Sequence, residues 1–175
     1  QLKRGMGRSG IDDPENMRFR FVECMFPDEI KAVLDFQSDP LFSLNELAQT
    51  VTNLSDKDRK KLGAVVAMTE PECVSQIRHL AENLDQFEFC PDVRTPAEYG
   101  RFMIQESGHF EYDPNLDGFY DYEGYGLQRM EQESGMFTDR GYISYHGTLS
   151  MDELMMEDTD RQFQAEPGFQ IGGMQ

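Results

Sequence analysis

The chain has 175 residues, of which 38% are hydrophobic; its 13 Phe, 7 Tyr, 11 Met and 15 Gly supply enough apolar mass for a packed core and exclude disorder throughout. Sixteen Lys and Arg against 33 Asp and Glu leave a formal charge of −17, which repels nucleic acid and anionic membranes and attracts basic surfaces. Three cysteines (Cys24, Cys73, Cys90) without CxxC spacing suggest neither a disulfide framework nor a zinc site, and no run approaches the ~18 apolar residues of a membrane span.

A cytoplasmic protein with reduced thiols is therefore expected. The chain opens on Gln and not Met, as a piece of a longer or trimmed protein would. Its charge is uneven. From Glu106 onward fifteen acids face three bases (Arg129, Arg140, Arg161), a net of −12, which leaves −5 for residues 1–105.

In chain order, residues 1–16 are polar and Gly-rich and read as a flexible lead. "MRFRFVECMF" alternates as a strand does, and "DEIKAVLDF" carries Ile30, Val33 and Leu34 at helical spacing. Three hydroxyl-to-acid pairs, each three residues apart, then predict helix starts by the capping box, in which the hydroxyl takes a free N–H of the first turn and the acid reaches back. They are Ser43–Glu46, Ser55–Asp58 and Thr69–Glu72, and the helices they open put Leu44, Leu47 and Val51, then Leu62, Val65 and Val66, then Val74, Ile77 and Leu80 on inner faces. Three helices with almost no loop between them predict a compact antiparallel bundle.

"FEFC" before Pro91 predicts a short strand, and Thr95–Glu98 with Pro96 opens a helix that Gly108 ends. A loop follows, then a helix over "FYDYEGYGLQRMEQES" closed by Gly135, then a hairpin turning at Asp139-Arg140-Gly141. Ser150–Glu153 starts a last short amphipathic helix. The expected class is α+β: a small helical bundle followed by a small α/β domain with a short antiparallel sheet, elongated overall. The expected divisions are a lead (1–16), a partial strand–helix unit (17–42), a helical bundle (43–90), an acidic C-terminal α+β domain (91–148) and a tail with a short helix (149–175).

Enzymatic constellations are missing from the sequence. His79 reads as a surface or boundary residue of its helix, and neither His109 nor His146 has a ligand or relay partner at useful spacing. There is no phosphate loop, dinucleotide motif or nucleophile elbow. The acids at 113, 117, 121 and 123 break the alternate-residue pattern of a calcium loop. The expectation is no catalytic residue, no metal and no cofactor. An acid-rich hydrolase stays open only because acids are so abundant here.

"FYDYEGYGLQRMEQESGMFTDRGYISYHG" resembles the C-terminal signature of the ArdA antirestriction proteins, on Phe119, Tyr120, Asp121, Tyr122, Tyr125, Gly126, Gly135, Phe137, Thr138, Gly141 and Tyr142. "LNELAQTVTNLS", "CVSQIRHLAENLDQFEFCPDV" and "AEYGRFMIQE" are similar to the family's preceding segments, so the resemblance spans residues 43–147. The chain departs from it at Leu127-Gln128, where many members have Arg-Asp, and the family's amino-terminal domain is short or missing. The resemblance implies a non-enzymatic mimic of double-stranded DNA, acting as a homodimer, that occupies the DNA groove of a type I restriction-modification enzyme. It places the mimicking acids at Glu106, Glu111, Asp113, Asp117, Asp121, Glu123, Glu131 and Glu133, with Phe119, Tyr120, Tyr122 and Tyr125 as dimer or packing aromatics. The alternative is an acidic interaction module of a mobile element that binds another basic DNA-binding protein.

Overall fold

The computed structural model describes residues 25–35, 38–108 and 111–156. The expected lead, nearly all of the expected strand from residue 17, Cys24, His109 and the tail beyond residue 156 lie outside them. The fold is α+β, with helices on both sides of a small antiparallel sheet. Its elements are α1 (Asp28–Val33), α2 (Leu41–Asn53), α3 (Asp56–Thr69), α4 (Val74–Glu82), β1 (Phe87–Pro91), α5 (Pro96–Gln105), α6 (Tyr122–Gln132), β2 (Ser134–Thr138), β3 (Gly141–Tyr145) and α7 (Met151–Met155). Short 3-10 helices occupy Leu84–Gln86 and Pro114–Phe119.

Three of the expected helix starts are present. Ser55 accepts from the Asp58 N–H, Thr95 accepts from the Glu98 N–H, and Ser150 with Glu153 closes a full capping box. Two are not. Helix α2 begins earlier, after Pro40, so Ser43 lies inside its first turn. Thr69 is the last residue of α3 and spends its hydroxyl on the Val65 carbonyl, while α4 starts after Cys73. A hydroxyl inside a helix can bond back to the carbonyl four residues earlier, and that local choice competed with capping.

The sheet has the order β1-β3-β2, with Phe89 opposite Ile143 and Met136 opposite Ile143 from the other side. The predicted hairpin forms with a two-residue turn at Asp139-Arg140, and Gly141 then enters β3 at φ +141°, a conformation that favours glycine. Arg140 is no idle turn residue. Its Nε and a terminal nitrogen donate to the two carboxylate oxygens of Glu29 at 2.6 and 2.8 Å, fastening the hairpin to α1.

Strand alternation sorts side chains to two cores. Phe87, Phe89 and Ile143 face α3 and join Leu47, Leu62, Val65, Ile77, Leu80 and Leu154. Cys90 and Tyr142 face the other way and join Val93, Tyr99 and Met103 beneath α5 and α6. Helix α3 is buried on consecutive residues from Leu62 to Val66 because it touches the sheet on one side and α1 and α4 on others.

The helical segment is thus no free-standing bundle: α2 packs on α4, and α3 is a layer on the sheet. The division expected after residue 90 falls inside β1, whose partner β3 lies 50 residues later, with Cys90 paired with Tyr142. The short helix expected in the tail, α7, belongs to the first core through fully buried Leu154. His79, expected at a surface or boundary, is buried on α4.

Candidate functional site

The stretch in which the acids concentrate runs from the end of α5 through the 3-10 helix to the end of α6. Helices α5 and α6 approach until their backbones touch. A Cβ on Gly100 would strike the Tyr122 carbonyl, and one on Gly126 would strike the Pro96 carbonyl. These glycines explain why the "YG" of α6 is followed by close packing and not by a chain break. Gly135, expected to end the helix, lies in β2 instead, where the ring of Tyr142 passes over it.

Six of the eight acids expected on the surface are exposed: Glu106, Glu111, Asp113, Asp121, Glu123 and Glu131. Two have local duties as well. Asp113 caps the 3-10 helix by accepting from the Asn115 N–H at 2.9 Å, and Asp121 caps α6 by accepting from the Gly124 N–H at 2.9 Å. Among the described residues none of the six forms an ion pair. Residues 102–128 contain no Lys or Arg at all.

On α6, Glu123, Leu127 and Glu131 follow at four-residue spacing and share one exposed face, so the two carboxylates stand about 12 Å apart along the axis. Glu123 sits in the first turn, where the helix dipole favours an acid. Glu131 sits in the last turn, where the same dipole opposes one.

The other two acids are engaged by neighbours within the fold. Asp117 is half-buried, and its Oδ1 accepts from Tyr122, from Tyr112 at 2.8 Å and from Gln105 at 2.8 Å. The Tyr122 hydroxyl, followed by that of Tyr112, holds the Asp117 carboxyl below its ordinary range, and the bond to Asp117 pushes the Tyr112 hydroxyl up to about 12. Burial, then Asp117, raises Tyr122 as well. The Arg101 guanidinium lies 4.8 Å from the centre of the Tyr122 ring.

Glu133, whose side chain is 6% exposed, pairs with Arg129 and accepts the Tyr99 hydroxyl at 2.6 Å. It is a structural acid between the second core and α6, because the chain turns inward there to start β2. The i, i+4 spacing of Arg129 and Glu133 is a sequence signal that points to the pair, although the resemblance places Glu133 on the mimicking surface. Nothing in the sequence signalled Tyr99, Gln105 or Tyr112 as its neighbours or those of Asp117.

The aromatics divide in the same way. Tyr122 is buried, Tyr125 is half-buried against the second core, and Tyr120 stacks its ring 5.8 Å from both Tyr112 and Tyr122. They pack within the chain. Phe119, expected with them, does not: it is 86% exposed.

Among the described residues Ser144, His146 and Glu88 come together, but not as a relay for nucleophilic catalysis. Ser144 Oγ lies 2.8 Å from His146 Nε2, and the Glu88 carboxylate lies 3.5 Å from that same nitrogen. A relay needs the acid on the opposite ring nitrogen, and Ser144 is fully buried. Among the described residues no three His, Cys, Asp or Glu side chains come close enough to hold a metal ion, and no helix is long and apolar enough to cross a membrane. A scan against protein-family models finds no match to this chain, and a search of curated proteins finds none either.

Proposed function

We propose that this protein is a non-enzymatic antirestriction protein, a mimic of double-stranded DNA that occupies the DNA-binding groove of a type I restriction-modification enzyme in the cytoplasm. One observation carries the reading: six exposed acids between residues 106 and 131, none ion-paired among the described residues, in a stretch with no Lys or Arg from 102 to 128. Acids that merely solvate a surface are usually interspersed with bases. Here they accumulate even at the end of α6, where the dipole makes Glu131 costly. A local rule broken without local gain is characteristic of a surface shaped for a partner.

The charge is of the right size for the task. Duplex DNA carries one negative charge per roughly 1.7 Å of axis. Two copies of the chain carry −34 (twice −17), the charge of roughly 58 Å of duplex. The acids pair with the Arg and Lys that otherwise hold phosphates, and partner and protein release counterions as partner and DNA do. The similarity of residues 119–142 to the ArdA signature supports the same reading and adds the homodimer.

The test is direct. A type I restriction-modification enzyme is mixed with its DNA and increasing amounts of the protein at low salt, and cleavage and methylation are followed. Both should fall, and the inhibition should weaken as salt is raised. Undiminished cleavage and methylation at excess protein and low salt overturn the proposal. Recovery of another basic DNA-binding protein from host lysate, with no restriction subunit, favours the acidic interaction module.

A further inference from the structure

The 3-10 helix Pro114–Phe119 presents an apolar pair inside the acidic stretch. In a 3-10 helix residues three apart eclipse one another, so Leu116 and Phe119 project from the same side. They are 47% and 86% exposed. An exposed Leu alone is ordinary, but a Phe exposed to this degree beside a second apolar side chain is not.

The pair is also held firmly. Asp113 caps the short helix at its start, and Asp117 in its middle receives Tyr112, Tyr122 and Gln105, with Gln105 belonging to α5 and Tyr122 to α6. The side of the helix that carries Asp117 is pinned to the body of the protein. The apolar side is displayed by a backbone that has little freedom left to lose on binding.

We infer that Leu116 and Phe119 form an apolar anchor that seats in a pocket of the same basic partner, a non-polar recess rimmed by Lys and Arg. This rests on the proposed DNA mimicry and extends it. The charge around the pair selects the occupant. Glu111 and Asp113 precede it, Asp121 and Glu123 follow it, and all four are exposed. A second copy meeting this face across a two-fold axis would place the same patch against itself, acids against acids. A basic partner meets them with opposite charge. The anchor therefore belongs to the heterologous contact and not to the homodimer.

The anchor also separates this surface from a plain polyanion. Phosphate-like contacts are lost as salt rises, exactly as those of competing DNA are. A buried aromatic is indifferent to screening. The pair gives the protein a share of affinity that salt does not remove and that the DNA backbone does not offer.

The experiment measures the dissociation constant of the full chain for a purified type I restriction-modification enzyme across a salt series. The proteins compared are the unaltered chain, Phe119→Ala, Leu116→Ala with Phe119→Ala, and Glu123→Gln with Glu131→Gln. The anchor variants should bind about 30-fold more weakly at every salt concentration with an unchanged salt slope, the loss typical of a central aromatic contact. The acid variant should flatten the slope. Thermal melts of the anchor variants should match the unaltered chain, because the side chains removed are exposed. If Phe119→Ala binds as tightly as the unaltered chain, the anchor is refuted while the mimicry stands. If the unaltered chain does not bind the enzyme, both fall. If sedimentation shows Phe119→Ala converting a dimer to monomers, the pair belongs to the self-interface and the assignment is overturned.

Discussion

The Tyr99 hydroxyl donates to Glu133 Oε2 at 2.6 Å across 34 residues of sequence, joining α5 to the start of β2. The same carboxylate pairs with Arg129 one turn earlier, on α6. One buried acid thus binds three elements together beneath the candidate surface. Glu133→Ala leaves Arg129 partly buried without its partner, and we expect a loss of about 2 kcal/mol, discounted from the fully buried case because Arg129 is about one-third exposed. Tyr99→Phe keeps the ion pair and should cost about 1 kcal/mol. Chemical denaturation separates the two, and equal losses would show that the Arg129 pair contributes nothing.

The contact between α5 and α6 predicts an order among glycine substitutions. At Gly100 and Gly126 an added methyl meets a backbone carbonyl of the facing helix, which cannot turn aside. Alanine at either should destabilise by about 3 kcal/mol, the upper end of overpacking. At Gly118 the added methyl meets nothing within 4 Å. Gly118→Ala should be neutral or stabilise by about 0.5 kcal/mol by restricting the unfolded chain. Midpoints of urea unfolding give the comparison, and a Gly126→Ala protein as stable as Gly118→Ala would contradict the packing.

Asp117 and its tyrosines predict losses of stability at both ends of the pH range. The carboxyl is held below its ordinary 3.8, chiefly by the Tyr122 hydroxyl, so its contribution is present above pH 3.8 and is lost as pH falls through the lowered folded value. Tyr112 rises from 10.0 to about 12 through its bond to Asp117, so its contribution is present below pH 10 and is lost as pH climbs toward 12. Burial raises Tyr142 from 10.0 to about 12 as well, and its contribution disappears over the same alkaline window. Tyrosine absorbance followed with pH should show a late-ionising group of residues. Tyr112→Phe should remove one tyrosine from that late phase, and an unchanged late phase would show that Tyr112 is not bound to Asp117.

Leu154 is fully buried although it lies in a five-residue helix near the end of the described chain. Leu154→Ala should cost about 3 kcal/mol, as deletion of a buried leucine side chain does. For a chain of this size that lowers the melting temperature by roughly 6–12 °C. A shift under 1 °C would detach α7 from the core.

Much of this was legible in the residues. Helical spacing located α1, α2, α3 and α4, and the pair Thr95–Glu98 with Pro96 marked the start of α5 to the residue. The short stretch FEFC before Pro91 marked β1, and the turn residues marked the hairpin. These are local signals, because a side chain's period and a cap's hydroxyl act within one or two turns of the chain. Charge was legible for a different reason: it sums over the chain without regard to shape, so the acidic excess after residue 106 needed no coordinates.

What the sequence could not assign was the direction each acid faces. Asp117 and Asp121 are four residues apart and alike in composition, yet one is enclosed by Tyr112, Tyr122 and Gln105 and the other is exposed. Glu131 and Glu133 differ in the same way, because the chain leaves α6 between them and turns into β2. Phe119 is expected with the tyrosines as a dimer or packing aromatic, and it alone of them stands in solvent, since the 3-10 helix is pinned on the side it does not occupy. Amino-acid type and spacing therefore determined the elements and the total charge. Tertiary packing decided which carboxylates are engaged inside the fold and which stay exposed, because their surroundings include neighbours brought from as far as 34 residues away.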